Sequence, residues 1–473
     1  MDVYRVDIAW DSSAEIIQAS IYDVGPLYSV YPHELDARDH HIIASFAPTT
    51  FNLLFILLSR FINVTKAAKI AVTDVLRRPQ YTVFANGDQV SDVDNILEAF
   101  NICRTSGTII FPEDENYWID RKLNPIVHDV NIQWRGEWTF SDNIDFWRSD
   151  GYFVFFQNHR AGFVLSGDGI HINGHGTGGI HGNGDAWYTA EKSTTVEGRP
   201  MPFVLWNVSD VTVKNFYIRQ PQFWAYNIMN GTDMYFENIF VNATSTKAPS
   251  RYNWVQNTDG FDTMDVKNVR VKGFNYTGGD DCVAIKPRSY NVTLEGVTCN
   301  GGNGIAIGSL GQYLEDSSVE DIAMDDLTPQ LKRGPVDLRY GIYLKTWIGE
   351  LVPQDDYESA GESRGGGWGR IHNVIFSNVQ YERVNNAPSF YQNNGDNGSF
   401  AGTSNMDISN VVFANITGTL SGATNRVSLT CSQRFPCHDI SFRNVDLIAG
   451  NGTTTSCTGR WTLADTVSGL PGC

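Results

Sequence analysis

Basic residues are scarce in this chain. Its 473 residues hold 35 Lys plus Arg against 53 Asp plus Glu, a formal charge of −18. That balance argues against nucleic acid as a partner, because gripping phosphate needs a basic surface. It leaves an acidic ligand open, since a few lysines in a cleft reverse the local sign. Long apolar runs are missing as well. The one such run, Phe51-Asn-Leu-Leu-Phe-Ile-Leu-Leu58, is too short to cross a bilayer, so no membrane partner is expected. Metal-ligand spacings are also lacking. His175 and His181 have no ligating partners at suitable intervals, so neither a metal nor a cofactor is expected. With 19% charged and 41% apolar residues, the chain reads as folded and globular.

What is present leans towards turns and short strands: 44 glycines, 12 tryptophans and many Asn, Thr and Val residues. Nine Asn-X-Ser/Thr sequons occur, at Asn63, Asn207, Asn230, Asn242, Asn275, Asn291, Asn397, Asn415 and Asn451. That number fits a glycosylated, secreted protein. The seven cysteines include three close pairs, 282–299, 431–437 and 457–473, with Cys103 left over. Spacing alone leaves the connectivity open, and an oxidising compartment is favoured. The N-terminal region is ambiguous. Residues 1–49 are polar and mixed, whereas Phe51–Ile62 has the length of a signal-peptide core. Either translation starts near residue 50, or this stretch is a buried amphipathic segment. Residues 1–75 are therefore set apart from a single domain over residues 76–473.

From about residue 125 a phrase recurs, made of a small polar residue, an alternating strand, then Asn or Gly and a further apolar stretch. It begins at Ser209, Thr232, Lys267, Tyr290, Glu320, His372, Ser409 and His438. The closest starts, Ser209 to Thr232 and Lys267 to Tyr290, set the period, and the others are spread further by insertions. A shortest period that recurs, stretched by insertions, is the mark of a coil with loops of variable length. The alternation gives strands and the Asn and Gly residues suit sharp corners. A right-handed parallel β-helix is the expected all-β fold; a β-sandwich would show no fixed phrase. Residues 92–104 read as an amphipathic helix with Asp92 at its N-cap, a lid for the otherwise open end of the solenoid.

Within these repeats two motifs stand about one coil length apart: Asn257-Thr-Asp259-Gly260 and Gly279-Asp280-Asp281-Cys282. On adjacent rungs, about 4.8 Å apart, they crowd three carboxylates into one patch. One more coil length leads from Asp281 to Asn303, and beyond an insertion come Tyr343 and Lys345. Each piece has a plainer reading: a turn dipeptide, a solvated or calcium-binding Asp pair, a corner asparagine, a surface lysine. Together they line one groove. An inverting glycosidase needs a carboxylic acid for the leaving oxygen and a carboxylate for water, about 6.5–9.5 Å apart. Crowded like charges keep one such group protonated. Lys286 and Arg288 are further candidates for meeting a uronate carboxylate.

In order and spacing, NTDG, GGDD, GNGIAIGSLG and YLKT resemble the four signature segments of glycoside hydrolase family 28, the polygalacturonases and related pectin hydrolases. The resemblance covers residues 80–473. It implies a right-handed parallel β-helix acting on a pectic polysaccharide by single displacement with inversion. Asp280 would be the general acid, Asp259 and Asp281 would hold the attacking water, and Lys345 would pair with a substrate carboxylate. Cys282–Cys299 and Cys431–Cys437 resemble family disulfides, and Trp187, in a loop similar to one that lines the family's cleft, would stack on a sugar. Two departures are plain. Endo-acting members carry histidine where this chain has Asn303, and arginine where it has Tyr343. The wording GNGIAIGSLG is similar instead to the exo-acting fungal branch. The long insertion at Trp347–Gly369 would block one end of the groove. The function implied is a secreted, monomeric exo-hydrolase releasing galacturonic acid from a non-reducing end. The alternatives are cleavage of galacturonic acid from rhamnose, a lyase on the same fold, and a non-catalytic pectin-binding β-helix.

Overall fold

The computed structural model describes residues 4–11, 16–23, 78–330, 338–421, 427–450, 452 and 457–470. The segment 51–62, Asn63 and Asn451 lie outside these residues. The chain forms two units, residues 1–78 and 79–473. In the first, strands β1 (Tyr4–Asp11) and β2 (Ile16–Asp23) pair antiparallel.

The second unit is a parallel β-helix. Its main sheet has 22 strands, joined by parallel pairings from rung to rung. A right-handed crossover is the hand that twisted parallel strands favour. The recurring phrase proves to be a structural column. Ser209, Thr232, Lys267, Tyr290, Glu320, His372, Ser409 and His438 lie in direct register through seven successive pairings. The residue after each one is Asp or Asn, and all eight adopt a positive φ between 51° and 60°. This is the left-handed corner that a short polar side chain tolerates. Inside the corner stands a buried aliphatic stack that includes Val211, Met234, Val269, Val292 and Ile322. Two positions on, Phe376, Phe413 and Phe442 stack with ring centroids 5.3 and 5.0 Å apart.

Helix α1 (Val93–Ile102) turns Val93, Ile96, Ala99 and Phe100 into the core. Asp92 occupies the N-cap position but makes no cap hydrogen bond, which corrects the expected role. Its carboxylate instead accepts from the backbone N–H groups of Asn86 and Trp118, both at 2.7 Å. Disulfides join Cys282 to Cys299 and Cys431 to Cys437. Cys457 is also disulfide-bonded; Cys473 lies outside the described residues. Cys103 is buried and free.

Four strands carry the site: β3 (Phe261–Thr277), β4 (Asp281–Ile285), β5 (Gly304–Leu310) and β6 (Ile342–Trp347). Their register sets two outward columns. One runs Asp262, Ala284, Ala306, Tyr343. Two positions further along the chain stand Lys286, just beyond β4, and Lys345 on β6.

Candidate active site

Asp259 ends the turn before β3, while Asp280 and Asp281 open β4. The backbone N–H of Gly260 donates to the carbonyl of Asp281 at 2.8 Å, so the two motifs lie on adjacent rungs. One carboxylate oxygen from each of Asp259, Asp280 and Asp281 lies within 4.8 Å of the others. That is a separation of single oxygens, and the range of about 6.5–9.5 Å refers to whole carboxyl groups, about one water apart. Family membership, not spacing, therefore carries the stereochemical expectation. Gly302, at φ +84°, lets the next rung press onto Asp280, where a Cβ would strike the Asp280 carbonyl.

The three carboxylates are held differently. Asp280 accepts from the backbone N–H of Asn257 at 2.6 Å, from that of Asp281 at 2.8 Å and from Asn303 Nδ2 at 2.9 Å. Asn303 is thus a donor to the carboxylate and not a rung of an asparagine ladder. Asp281, 1% exposed, accepts from the Tyr343 hydroxyl and, at 2.8 Å, from Lys345 Nζ. Tyr343 packs with Ala284 and Ala306 of the same column in a small buried cluster. Asp259 is buried with Oδ1 unpartnered, and its nearest cation is Lys286 at 3.8 Å.

Burial therefore dominates the electrostatics. It pushes the Asp259 carboxyl well above the usual range, helped by Asp262, Asp280 and Asp281. Burial and the Asp281 charge also raise Asp280, against the hydrogen bonds it accepts. Lys345 is pulled down by burial, but Asp281 and its neighbours outweigh that and keep it a firm cation. Carboxyls raised by burial beside one paired with a lysine give the contrast of environments on which glycoside hydrolysis relies.

Asp262 is a fourth member that the sequence reading missed. It is 2% exposed, neither oxygen has a hydrogen-bond partner, and Lys286 stands 3.9 Å away. Burial pushes its pKa up to about 7 despite that lysine. The signal was its place three residues after Asp259, on the outward face of a strand.

Lys286 thus bridges Asp259 and Asp262, and its ammonium lies 4.0 Å from the centre of the Trp224 ring. Arg288 makes no ion pair with the three aspartates among the described residues. Its guanidinium is taken up by Asp265 and Glu315, and it lines a separate cavity of about 140 Å3 with Phe155, Trp206 and Tyr313. Trp187 is fully buried, with Arg148 over its ring. Stacking on a sugar needs an exposed face, so that expectation is corrected.

A wall stands beside Lys286. His159 packs edge-on against Trp224 at 4.6 Å and lies 6.1 Å from Tyr357 of the insertion. Asn158 Nδ2 donates to the Tyr357 carbonyl at 3.1 Å. Gln157 is tied to Gln312 at 2.8 Å and, through its N–H, to the Tyr313 hydroxyl. Arg364 clamps the insertion internally by pairing with Asp356 and Glu358. Two loops far apart in sequence therefore meet next to the carboxylates.

Comparison with known proteins agrees with this geometry. Residues 105–464 match the family described as Glycosyl hydrolases family 28. An Aspergillus niger protein named galacturan 1,4-alpha-galacturonidase C is 57% identical over 395 residues, covering 83% of this chain and 93% of that protein. The Aspergillus niger protein named Alpha-L-rhamnosidase rgxB is 31% identical over 373 residues, covering 77% and 83%. The solved endo-xylogalacturonan hydrolase of Aspergillus tubingensis superposes with a TM-score of 0.69 at 24% identity, over 83% of this chain and 99% of that one; at that identity it shows the fold alone. A right-handed β-helix, three clustered carboxylates and a family match across most of its length make the chain a glycoside hydrolase that belongs to glycosyl hydrolases family 28.

Proposed function

We propose that this chain is a secreted, monomeric exo-hydrolase that releases galacturonic acid from the non-reducing end of polygalacturonate and its oligomers. In this reading Asp280 protonates the glycosidic oxygen, while Asp259 and Asp281 hold and activate the water. Lys345 fixes Asp281 and lies where a substrate carboxylate would meet it. The naming of the relative at 57% identity as a galacturan 1,4-alpha-galacturonidase supports the linkage. The observation that carries exo action is the wall made by His159 and Tyr357 beside Trp224 and Lys286. Such a barrier next to the carboxylates favours binding of a chain end over a chain middle. Secretion is supported by the disulfides and by the sequons, since Asn207, Asn230, Asn242, Asn275, Asn291, Asn397 and Asn415 are all exposed.

The test is product chromatography after incubation with polygalacturonate and, separately, with rhamnogalacturonan oligosaccharides. Monomeric galacturonic acid as the sole early product from the first is expected. A ladder of oligomers would overturn exo action, and release only from the second would replace the linkage by galacturonic acid–rhamnose.

A further inference from the structure

A polyuronate brings a carboxylate on every sugar, yet each obvious cation of the groove already has a carboxylate partner within the protein, Lys345 included. Lys345 is paired with Asp281 at 2.8 Å. Lys286 stands between Asp259 and Asp262. Arg288 is held by Asp265 and Glu315, and Arg199 by Glu191. The guanidinium that endo-acting relatives present at position 343 is replaced by a phenol, which donates to Asp281.

Four residues upstream, the geometry points to a substitute. We infer that Arg339 binds the carboxylate of the uronic acid on the leaving-group side of the scissile bond, and so selects galacturonic acid over a neutral sugar there.

The placement rests on a stack. The Arg339 guanidinium lies 5.3 Å from the centre of the Tyr340 ring, and that ring stacks on Tyr343 with centroids 4.7 Å apart and planes 24° apart. The backbone of Arg339 is clamped from both sides. Its N–H donates to the Gly302 carbonyl at 2.7 Å, and its own carbonyl accepts from Asn386 Nδ2 at 2.8 Å. Gly302 adjoins Asn303, which holds Asp280. Arg339 therefore stands one rung beyond Asn303 and two beyond the general acid, about 10 Å along the axis at the usual strand spacing.

That direction leads away from the rung of Trp224, where the wall stands, and so towards the side from which the remaining chain extends. The side chain is exposed and has no carboxylate partner among the described residues. A fixed base with an exposed planar fork suits bidentate binding of a carboxylate. Stacking on an aromatic face holds the fork without neutralising it. In a chain of formal charge −18, such a local cation is what lets a polyanion approach.

The inference rests on the exo reading, and the experiment separates the two. Purified wild-type protein, Arg339→Gln and Arg339→Lys are compared on digalacturonate and on an aryl α-galacturonide, whose leaving group is neutral. The quantity read is the ratio of kcat/KM on the first to kcat/KM on the second. In Arg339→Gln the ratio is expected to fall about 10- to 100-fold, the scale of one charge-assisted contact, through KM on digalacturonate. Arg339→Lys should fall less, because a point charge keeps attraction but loses the fork. The salt dependence of KM on digalacturonate should flatten in Arg339→Gln. An unchanged ratio, with both substrates slowed alike or neither slowed, overturns the assignment. Better wild-type cleavage of galacturonosyl-rhamnose than of digalacturonate overturns it too, while leaving exo action standing. A wild-type protein that cleaves no terminal galacturonic acid sinks the exo reading itself.

Discussion

Replacing Asp262 by asparagine should make the folded state lose less stability as pH rises to neutral and alkaline values. The Asp262 carboxyl is buried, has no hydrogen-bond partner, and titrates at about 7 against an ordinary 3.8. A carboxyl raised on folding binds more protons in the native state throughout that window. Its contribution to stability is therefore fully present below about pH 4 and is lost as pH rises through 7. A gap of about 3 pH units corresponds to about 4 kcal/mol. Asp259 is raised for the same reason and slopes the same way, so wild-type stability should decline steadily from pH 4 to 8. In Asp262→Asn one source of that slope is gone, and the relief of Asp259 from a neighbouring charge removes part of the other. Lys286 keeps a partner in Asp259 at 3.8 Å. The assay is urea unfolding followed by tryptophan fluorescence at one-unit pH steps, with refolding checked at each. The unfolding free energy of the variant should fall less than that of wild type over this range, by up to about 4 kcal/mol. Parallel curves would refute the reasoning, because they would mean that Asp262 ionises at its ordinary pKa despite burial.

Three further outcomes are expected. Asp280→Asn should lose about 100- to 10,000-fold in kcat, the range for a missing general acid, with substrate binding and thermal unfolding near wild type; near-full activity would remove the acid from this position. Tyr343→Phe deletes one hydrogen bond to the buried, lysine-paired Asp281, worth about 1.5–3 kcal/mol, so kcat/KM should drop about 10- to 100-fold while kcat/KM of Lys345→Met drops further. Proton NMR of fresh product from an α-linked substrate should show the β anomer first, and an α anomer would contradict inversion.

Much of the fold was legible because the coil repeats one requirement. Each rung needs a residue that tolerates a left-handed corner, and Asn or Asp stands there eight times. The three aspartates were legible for the same reason: register turns one coil length of chain into contact. What escaped was set by packing across rungs. Trp187 lies in a segment that resembles a cleft loop, yet its ring faces the core, a choice that depends on helix Gly184–Glu191 and on Arg148 above it. Arg288 reads as a free cation until the fold brings Asp265 and Glu315 to it. Asp92 stands at a helix start, but two neighbouring segments offer their N–H groups to its carboxylate.

The two departures from the endo pattern have a common physical consequence. An imidazole and a guanidinium beside the carboxylates would each add positive charge, and the imidazole would titrate near neutrality. Here the corresponding donors are the Asn303 amide and the Tyr343 phenol. The amide does not titrate, and burial followed by the Asp281 charge holds the phenol well above its usual 10. Both contacts are therefore present, with neutral donors, across the whole working range. The protonation state of the cluster is then decided by its own four carboxylates and two lysines. The alkaline limb of kcat/KM should report the raised carboxyls of Asp259, Asp262 and Asp280, and Asp262→Asn should move that limb to lower pH by removing a like charge. Asn303→His should add a second titration near neutrality. If that variant keeps the wild-type profile, the residue at 303 does not govern the proton on Asp280.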